Sequence, residues 1–421
     1  MEIKKTNHVT TVKTTKFKTT VIKMSFSAPL NRETITHRIL LANVLRNSSA
    51  KFSNRQLLSA HLEDLYGAIL GVTTKKQGQL HIISFYIQVA NEKFLKSAPP
   101  LFEAAVHTLS EIVMNPKLID GKFDPEVVNQ ECRLLKEDIE SLYDDKTSYA
   151  LRQLITKMCK QERFGTNSDG YISDLKLVDG STLVSTFESM KKDDEVKIVA
   201  IGDIEHDEVL RMIEQNFPLQ NTMRSQLKSV DLEEKTFDEL TLLTEAQDIN
   251  QTKLNIGYRT NTRITDPDYF ALLMFNAVFG GHASSKLFIN VREKESLCYY
   301  CSSQLDNYKG LMYVYSGLDL QHVEKAKDII NQQLLAMTNG DITDEELDIS
   351  KKVIVNAKKA ALDSASGMLV DLEVQDILGI TTQEFISRIE AVTATDIVKV
   401  ASKIKLDTIF TLESNRKKGE S

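Results

Sequence analysis

The sequence is poor in the features that mark several protein classes. Four cysteines are too few for a disulfide framework in a chain of 421 residues. Only 7 prolines and 17 glycines, with 26% charged residues, exclude a fibrous or disordered bias. No stretch reaches the roughly 18 apolar residues that a membrane span needs, and the N-terminus has no apolar run typical of a secretory signal. We therefore expect a cytoplasmic globular protein with no membrane partner.

The charge balance argues against nucleic acid as a partner. The formal net charge is −7, whereas binding to a polyanion normally needs a clustered excess of Lys and Arg. The two basic pairs, Lys75-Lys76 and Lys191-Lys192, are isolated along the chain, so we interpret them as solvated surface.

Several catalytic motifs are absent as well. The chain has no GxxxxGK[ST], GxGxxG or GxSxG pattern, so phosphate-cradling loops and the commonest serine-hydrolase site are missing. Hydrolytic zinc needs a helix that presents two imidazoles about one turn apart beside a carboxylate. No two of the eight histidines lie within ten residues of each other, which excludes a local histidine-pair metal site.

One stretch without acidic side chains, THRILLANVLRNSS at residues 36–49, is apolar at helical spacing. Its middle is nearly all apolar, which favours burial on most sides of a helix. The stretch therefore predicts a buried helix with one histidine, His37, at its start.

The chain divides into two comparable halves. Residues 218–238 are polar, begin with proline and show no sustained period, which predicts a linker between modules at 1–217 and 239–421. LYGA at 65–68 and LCYY at 297–300 follow the second helix of each half at an offset of 232, and a later pair of segments repeats at an offset of 214. These similar offsets predict a duplicated α+β module, with helices packed on one face of a mainly antiparallel sheet.

Local patterns predict where some elements begin. Ser53 with Gln56, and Thr343 with Glu346, fit the capping box, in which the first side chain bonds the backbone three residues on. Strands are predicted over the N-terminal Thr- and Lys-rich segment and over residues 196–204.

CYYC at residues 298–301 has the spacing of a redox motif. It lies in a β-favouring run rather than at the helix N-terminus that would lower a thiol pKa. A zinc site would need two further ligands, and the chain has no second CxxC pair. We interpret the pair as incidental.

One constellation could bind a peptide. NVREKESLCYY places Arg292 and Tyr299 seven residues apart, shortly after the glycine pair Gly280-Gly281. A guanidinium can hold a peptide carbonyl or carboxylate, and a phenol can donate to a developing oxyanion. Spacing alone also fits an exposed arginine with a half-buried strand tyrosine. The glycines fit either a turn between two helices or a loop whose bare backbone lies close to an extended ligand.

The segment LLMFNAVFGGHASSKLFINVREKESLCY, residues 272–299, resembles the M16 metallopeptidases, the insulinase and pitrilysin family. That family carries N-x-x-L/F-G-G-x-x-x-S-x-L-F followed by R-E/T-K-x-x-L-x-Y in its C-terminal half. The resemblance implies two homologous M16/LuxS-like metallohydrolase-type α+β modules, joined by a linker, that fold as a clam around a peptide. Among bacterial members the chain is most similar to the YmfF type.

The resemblance also implies roles for residues. Arg292 and Tyr299 fall where the family's Arg and Tyr help bind substrate and stabilise the tetrahedral intermediate, opposite a zinc held by the other module. Gly280 and Gly281 fall in its glycine-rich loop, which implies substrate contact.

The apolar helix departs from the family pattern. Catalytic members carry a first-module helix resembling G-L-A-H-x-x-E-H-x-x-F-x-G-T, and the alignment puts Ile39, Ala42 and Asn43 where His, Glu and His should be. The third ligand would fall near Glu137 or Asp138, and one carboxylate cannot hold zinc by itself. The resemblance therefore implies a degenerate metal site, with no cofactor in this chain.

Three functions stay open. The pattern resembles the non-catalytic subunits of two-chain M16 systems, which implies a heterodimer with a zinc-bearing HxxEH partner, a peptide substrate, and Arg292 and Tyr299 supplied in trans. A non-hydrolytic peptide-binding or assembly scaffold is the second hypothesis, with a link through the family to modification of elongation factor P. An autonomous enzyme with zinc ligands distant in sequence is the third. We expect the chain to be inactive alone, and a homodimer of the isolated chain stays open.

Overall fold

The computed structural model describes residues 2–6, 8–97, 99–217, 230 and 239–415. The chain forms two compact units, the first comprising Met1–Glu140 and Thr166–Ser229, the second Ser141–Gly165 and Val230–Ser421. The predicted linker lies outside the described residues except for one position, and the predicted module boundaries stay a prediction. No helix in the described part of the chain is long and apolar enough to cross a membrane.

The elements of the first half of the chain alternate between strands and helices. The strands are β1 (Glu2–Lys5), β2 (Val9–Lys13), β3 (Thr19–Pro29), β4 (Ile69–Gln77), β5 (Leu80–Ala90), β6 (Leu118–Ile119), β7 (Lys122–Phe123) and β8 (Glu195–Gly202). The α-helices are α1 (Ile35–Asn47), α2 (Arg55–Asp64), α3 (Leu101–Met114), α4 (Pro125–Asp144), α5 (Lys146–Met158), α6 (Gly180–Asp193) and α7 (His206–Asn216).

The second half of the chain repeats this alternation. Its strands are β9 (Thr241–Gln247), β10 (Thr252–Arg259), β11 (Cys298–Asp306), β12 (Leu311–Leu318) and β13 (Lys405–Ser414). Its α-helices are α8 (Tyr269–Asn276), α9 (Val323–Thr338), α10 (Asp344–Ala361), α11 (Ala365–Leu378), α12 (Thr382–Ala391) and α13 (Ala394–Ala401).

The first unit is built on a six-stranded sheet in the order β1-β2-β8-β3-β5-β4. The pair β2/β8 is parallel and the other pairs are antiparallel. Ile22, Met24 and Phe26 alternate along β3 and are buried, because successive side chains of a strand point to opposite faces. They join the buried faces of α1, α3 and α6 in one core.

The second unit repeats the same topology. Its sheet has the order β9-β13-β10-β12-β11, which matches β2-β8-β3-β5-β4 strand for strand. The pair β9/β13 is parallel, like β2/β8, and the remaining pairs are antiparallel. This agreement confirms the predicted α+β fold of two homologous modules.

Helix α5 belongs to the second unit, although along the chain it precedes α6 and α7 of the first unit. Arg259 of β10 donates to Glu162 and to Asp407, each at 2.7 Å, and to the carbonyl of Met158 at 3.1 Å. The Arg259 and Glu162 side chains are only 9% and 4% exposed. This buried ion cluster attaches residues 141–165 to the second sheet.

The two predicted helix starts have different outcomes. Thr343 and Glu346 form the predicted capping box at α10. The Ser53 prediction is wrong, because Asn54 is the N-cap of α2 and its side chain accepts from the Leu57 amide at 2.9 Å. Asn caps a helix as well as Ser does, so the two adjacent candidates could not be separated by residue type.

Candidate functional site

The helix predicted at the degenerate metal site forms as α1. Ile39 is 5% exposed and Ala42 is fully buried, while Asn43 is partly buried. The first two side chains have no donor atom, and zinc in proteins is held by thiolate, imidazole and carboxylate groups. The residues at these positions therefore do not fit zinc. Within the described ranges, no group of three or more His, Cys, Asp or Glu residues is arranged to hold a metal ion.

A loop of the same unit covers the start of α1. The Thr36 hydroxyl donates to Asp174 at 2.8 Å, and Arg32 donates to both oxygens of that carboxylate at 2.6 and 3.0 Å. The hydrogen bond from Arg32 is the main cause of the lowered pKa of Asp174. A Cβ added to Gly170, whose φ is +79°, would lie 3.3 Å from Ile39 Cδ1. The chain's own loop thus occupies the space in front of Ile39.

Helix α4 brings a different carboxylate to α1 from those expected. Glu137 and Asp138 are exposed on α4, whereas Glu131, two turns earlier, is 3% exposed. Asn47 of α1 donates to Glu131 at 2.7 Å and also to the Asn43 carbonyl at 2.9 Å. Sequence reasoning missed Glu131, although its spacing of seven residues from Asp138 places both on one helix face.

A polar cavity of about 390 Å³ in the first unit adjoins the contact between Asn47 and Glu131. Its lining carries both signs of charge, since it includes Arg55 and Lys117 as well as Asp124 and Glu131. The full lining is Asn47, Ser48, Ser53, Asn54, Arg55, Gln56, Lys117, Asp124, Val127, Gln130 and Glu131. No sequence motif indicated this cavity.

The glycine pair of the second unit ends a helix instead of forming a loop. A π-helical segment, Ala277–Gly281, continues α8, and a second one follows at Phe288–Lys294. Gly280 is buried, and an added Cβ would lie 2.5 Å from Ser303 Oγ. Gly281 is exposed. The expected inter-helix turn or loop is therefore replaced by a wide helical turn, and substrate contact at the two glycines stays a prediction.

Arg292 lies in the second π-helical segment. Its side chain is 40% exposed, donates to Glu293 at 2.8 Å, and places its guanidinium 4.5 Å from the centroid of the Phe288 ring. Short π-helical segments are rare and occur frequently at functional sites. The guanidinium is oriented by its neighbours and keeps donor groups available to a ligand, since it has five N–H groups.

Tyr299 is carried by a bulge in β11, an edge strand of the second sheet. Cys298 pairs with Leu318 and Tyr300 pairs with Gly317, so the pairing register leaves Tyr299 as the extra residue. The side chain of Tyr299 is 80% exposed, well beyond the half-buried strand tyrosine that spacing alone allowed. A bulge inserts one residue, bends the strand and re-aims a side chain. The phenol of Tyr299 thus faces solvent close to Arg292 in sequence.

The CYYC segment forms a strand as expected, but its chemistry differs from the expectation. The hydrogen bonds from Cys301 and Ser316, together with the charge of Arg292, lower the pKa of the Cys298 thiol to about 7 against the effect of burial. The pKa of Cys301 is raised by its hydrogen bond with Cys298 and by burial. The interpretation as an incidental pair considered only a helix N-terminus as a source of a lowered thiol pKa, and it did not consider these three neighbours.

Comparison with known proteins agrees with this structure. Residues 180–354 match the family description "Peptidase M16 inactive domain". The chain is 36% identical over 404 residues to the "Probable inactive metalloprotease YmfF" of Bacillus subtilis, covering 96% of this chain and 94% of that protein. It is 24% identical over 264 residues to the "Uncharacterized zinc protease YmxG" of the same organism, covering 61% of this chain and 62% of that protein.

A solved structure gives the same assignment at the level of the fold. A conserved protein from Enterococcus faecalis V583 has a TM-score of 0.89 and 32% sequence identity, with 97% of each chain covered. The sequence relatives include both a protein named as inactive and one named as a zinc protease. The chain therefore belongs to the M16 peptidase family as an inactive metalloprotease homologue.

Proposed function

We propose that this chain is the non-catalytic subunit of a two-chain M16 peptidase and supplies Arg292 and Tyr299 to a peptide held with a zinc-bearing HxxEH partner. The observation that carries the proposal is an asymmetry between the two units. Two of the three metal positions on α1, Ile39 and Ala42, are filled by buried apolar side chains, whereas Tyr299 is 80% exposed on a strand bulge. A side chain lost to function has no reason to be re-aimed into solvent by a bulge.

The chemistry of the two side chains fits this role. The Arg292 guanidinium can donate to a peptide carbonyl or carboxylate, and its own contact with Glu293 leaves further N–H groups for that purpose. The Tyr299 hydroxyl can donate to the oxygen that becomes negatively charged when a peptide carbonyl is attacked. Activation of the attacking water would belong to the partner, since Ile39 and Ala42 at the metal positions of α1 have no atom that can bind zinc.

Reconstitution tests the proposal. This chain and an HxxEH-bearing M16 chain from the same genome are purified separately, mixed, and assayed for complex formation and for cleavage of a peptide mixture. We expect a stable heterodimer whose peptidase activity exceeds that of the partner alone. A mixture with neither a complex nor added activity would overturn the proposal.

Substitutions in the assembled pair then separate catalysis from scaffolding. Arg292→Ala combined with Tyr299→Phe is expected to reduce turnover by roughly 10²-fold, the scale for removal of an oxyanion donor. Lys294→Ala with Tyr300→Phe is the matched control, because Lys294 lies in the same π-helical segment and Tyr300 is the next residue of β11. Unchanged turnover in the first variant would indicate a peptide-binding or assembly scaffold.

A further inference from the structure

We propose that Cys298 is a thiol modification site, at which a peroxide oxidises Cys298 and Cys301 then closes an intrachain disulfide across the Tyr299 bulge. The proposal concerns the chemistry of this chain alone and does not depend on pairing with a zinc-bearing partner. It assigns a function to the two cysteines of the CYYC segment, which the proposed peptidase role leaves unused.

The bulge makes the pair geometrically possible. In a regular strand, residues three apart point to opposite faces of the sheet. The extra residue between Cys298 and Tyr300 removes this opposition, and both cysteines pack against the same core of the second unit. Each cysteine is the largest cause of the shift in the other's pKa, which agrees with two neighbouring side chains. The strand irregularity that exposes Tyr299 therefore also brings two sulfur atoms together.

The two cysteines differ in access. Cys298 is partly buried, whereas Cys301 is fully buried. An oxidant from solvent therefore meets Cys298 first. The hydrogen bonds from Cys301 and Ser316, with a smaller contribution from the Arg292 charge, lower the pKa of the Cys298 thiol to about 7, so a large share is thiolate, the nucleophilic form, at neutral pH. Cys301 is placed to act as the resolving thiol.

The reaction balances with hydrogen peroxide as the oxidant. The Cys298 thiolate attacks a peroxide oxygen, so that an S–O bond forms, the O–O bond breaks, and the departing hydroxide takes a proton and leaves as water. The sulfur of Cys301 then attacks the sulfur of Cys298, which forms the S–S bond and breaks the S–O bond. A second water leaves with the proton of the Cys301 thiol. The two sulfurs lose two electrons in total, and peroxide gains them.

Cys132 offers a matched reference within the same chain. It is also partly buried, but burial and the neighbouring Glu131 raise its pKa. Iodoacetamide at pH 7 should therefore alkylate Cys298 at least roughly 10-fold faster than Cys132, because only the thiolate reacts. Peptide mass spectrometry of the reduced full-length chain measures both rates in one sample. Equal rates, or a faster Cys132, would overturn the proposal without any variant having to fold.

Oxidation tests the second step. The reduced full-length chain is treated with hydrogen peroxide, residual thiols are blocked with N-ethylmaleimide, and peptides are analysed without reduction. We expect the peptide with residues 298–301 to lose two hydrogens and carry no maleimide, and dithiothreitol to reverse the change. An overoxidised Cys298 beside a free Cys301 would overturn the resolving role.

Two variants sharpen the assignment. Cys301→Ala is expected to leave Cys298 as a sulfenic acid that dimedone traps, since no thiol remains to close the disulfide. Cys159→Ala is the control, because Cys159 is a buried cysteine in a different core cluster of the same unit. Disulfide formation that persists in Cys301→Ala would contradict the proposed pair.

Discussion

The two units share one order of paired strands and differ in the helix after the central strand. In the first unit β3 leads to the regular helix α1, with Ile39 and Ala42 buried. In the second, β10 leads to α8, which runs into a π-helical segment. The edge strand β11 carries an exposed tyrosine on a bulge, whereas its counterpart β4 pairs with β5 without a register shift. The two units therefore share the order of their paired strands, whereas the helix after the central strand differs between them.

The largest expected effect comes from placing a carboxylate at position 42, in helix α1 of the first unit. Ala42→Glu should destabilise the first unit by about 3 to 5 kcal/mol, because the carboxylate would be buried without a partner at a fully buried position. Denaturant unfolding of the purified variant measures the loss. Arg46→Glu is the control, since it places the same side chain at an exposed position of α1 and should cost about 1 kcal/mol or less. An Ala42→Glu protein as stable as the unsubstituted chain would show that position 42 can accommodate a carboxylate, contrary to its burial in α1.

The second-largest expected difference between the two units is in their stability to acid, because their buried ionisable groups titrate over different pH ranges. Burial and the charge of Arg38 lower the pKa of His81 in the first unit to about 3. The unfolded chain, in which a histidine has a pKa near 6.5, then binds more protons than the folded one below that pH. The first unit therefore loses stability as pH falls from about 6.5 toward about 3, by at most roughly 1.4 kcal/mol per pH unit.

The second unit responds to acid over a lower range. Burial alone would raise the pKa of Glu162, but the hydrogen bonds from Arg259 and Lys309 outweigh it and hold this pKa below its usual value of 4.5. The stability from Glu162 is therefore complete above about pH 4.5 and is lost only as pH falls through the lowered pKa. Burial also lowers the pKa of one partly buried histidine in each unit, His61 and His282, so their contributions to the comparison oppose each other.

Hydrogen exchange measured by mass spectrometry and corrected for intrinsic rates reports the protection of backbone amides in each unit between pH 7 and pH 4. We expect peptides of β5 to lose protection at higher pH than peptides of β13. His81→Gln should reduce the acid sensitivity of the first unit, because glutamine can still accept from Arg38, as His81 does at 3.0 Å, but does not titrate. If peptides of β13 lost protection at higher pH than peptides of β5, His81 would not be the main source of acid sensitivity.

Substitutions in the glycine pair of the second unit should have smaller effects on stability. Gly280→Ala should cost about 1 to 3 kcal/mol, because the new Cβ would lie 2.5 Å from Ser303 Oγ and 2.8 Å from Leu287 Cδ1 in a packed core. Gly281→Ala is the matched neighbour, with Asn276 as its nearest contact at 3.0 Å and an exposed position, so its cost should be lower. Thermal unfolding compares the two. Equal costs would show that Gly280 is not retained for packing.

Some of these features can be predicted from the local sequence, and others cannot, because they depend on contacts between residues that are distant in the chain. Burial of α1 follows from its own apolar spacing, so it could be predicted locally. Exposure of Tyr299 depends on a register shift against β12, and the attachment of α5 depends on Arg259 reaching Glu162, 97 residues away in the chain. Neither depends on a local pattern. The lowered pKa of Cys298 likewise depends on Cys301, Ser316 and Arg292 being close in space.

The smallest effect concerns a helix start, where one residue separates the prediction from the structure. Asn54→Ala should destabilise α2 by about 1 kcal/mol, because its side chain accepts from the Leu57 amide, and Ser53→Ala should cost almost nothing. Thr343→Ala at α10 of the other copy, which loses a complete capping box, should cost as much as Asn54→Ala or more. Denaturation midpoints of the three variants give the order. If Ser53→Ala proved as costly as Asn54→Ala, α2 would begin one residue earlier in solution, and the capping box predicted from the sequence would be the correct one.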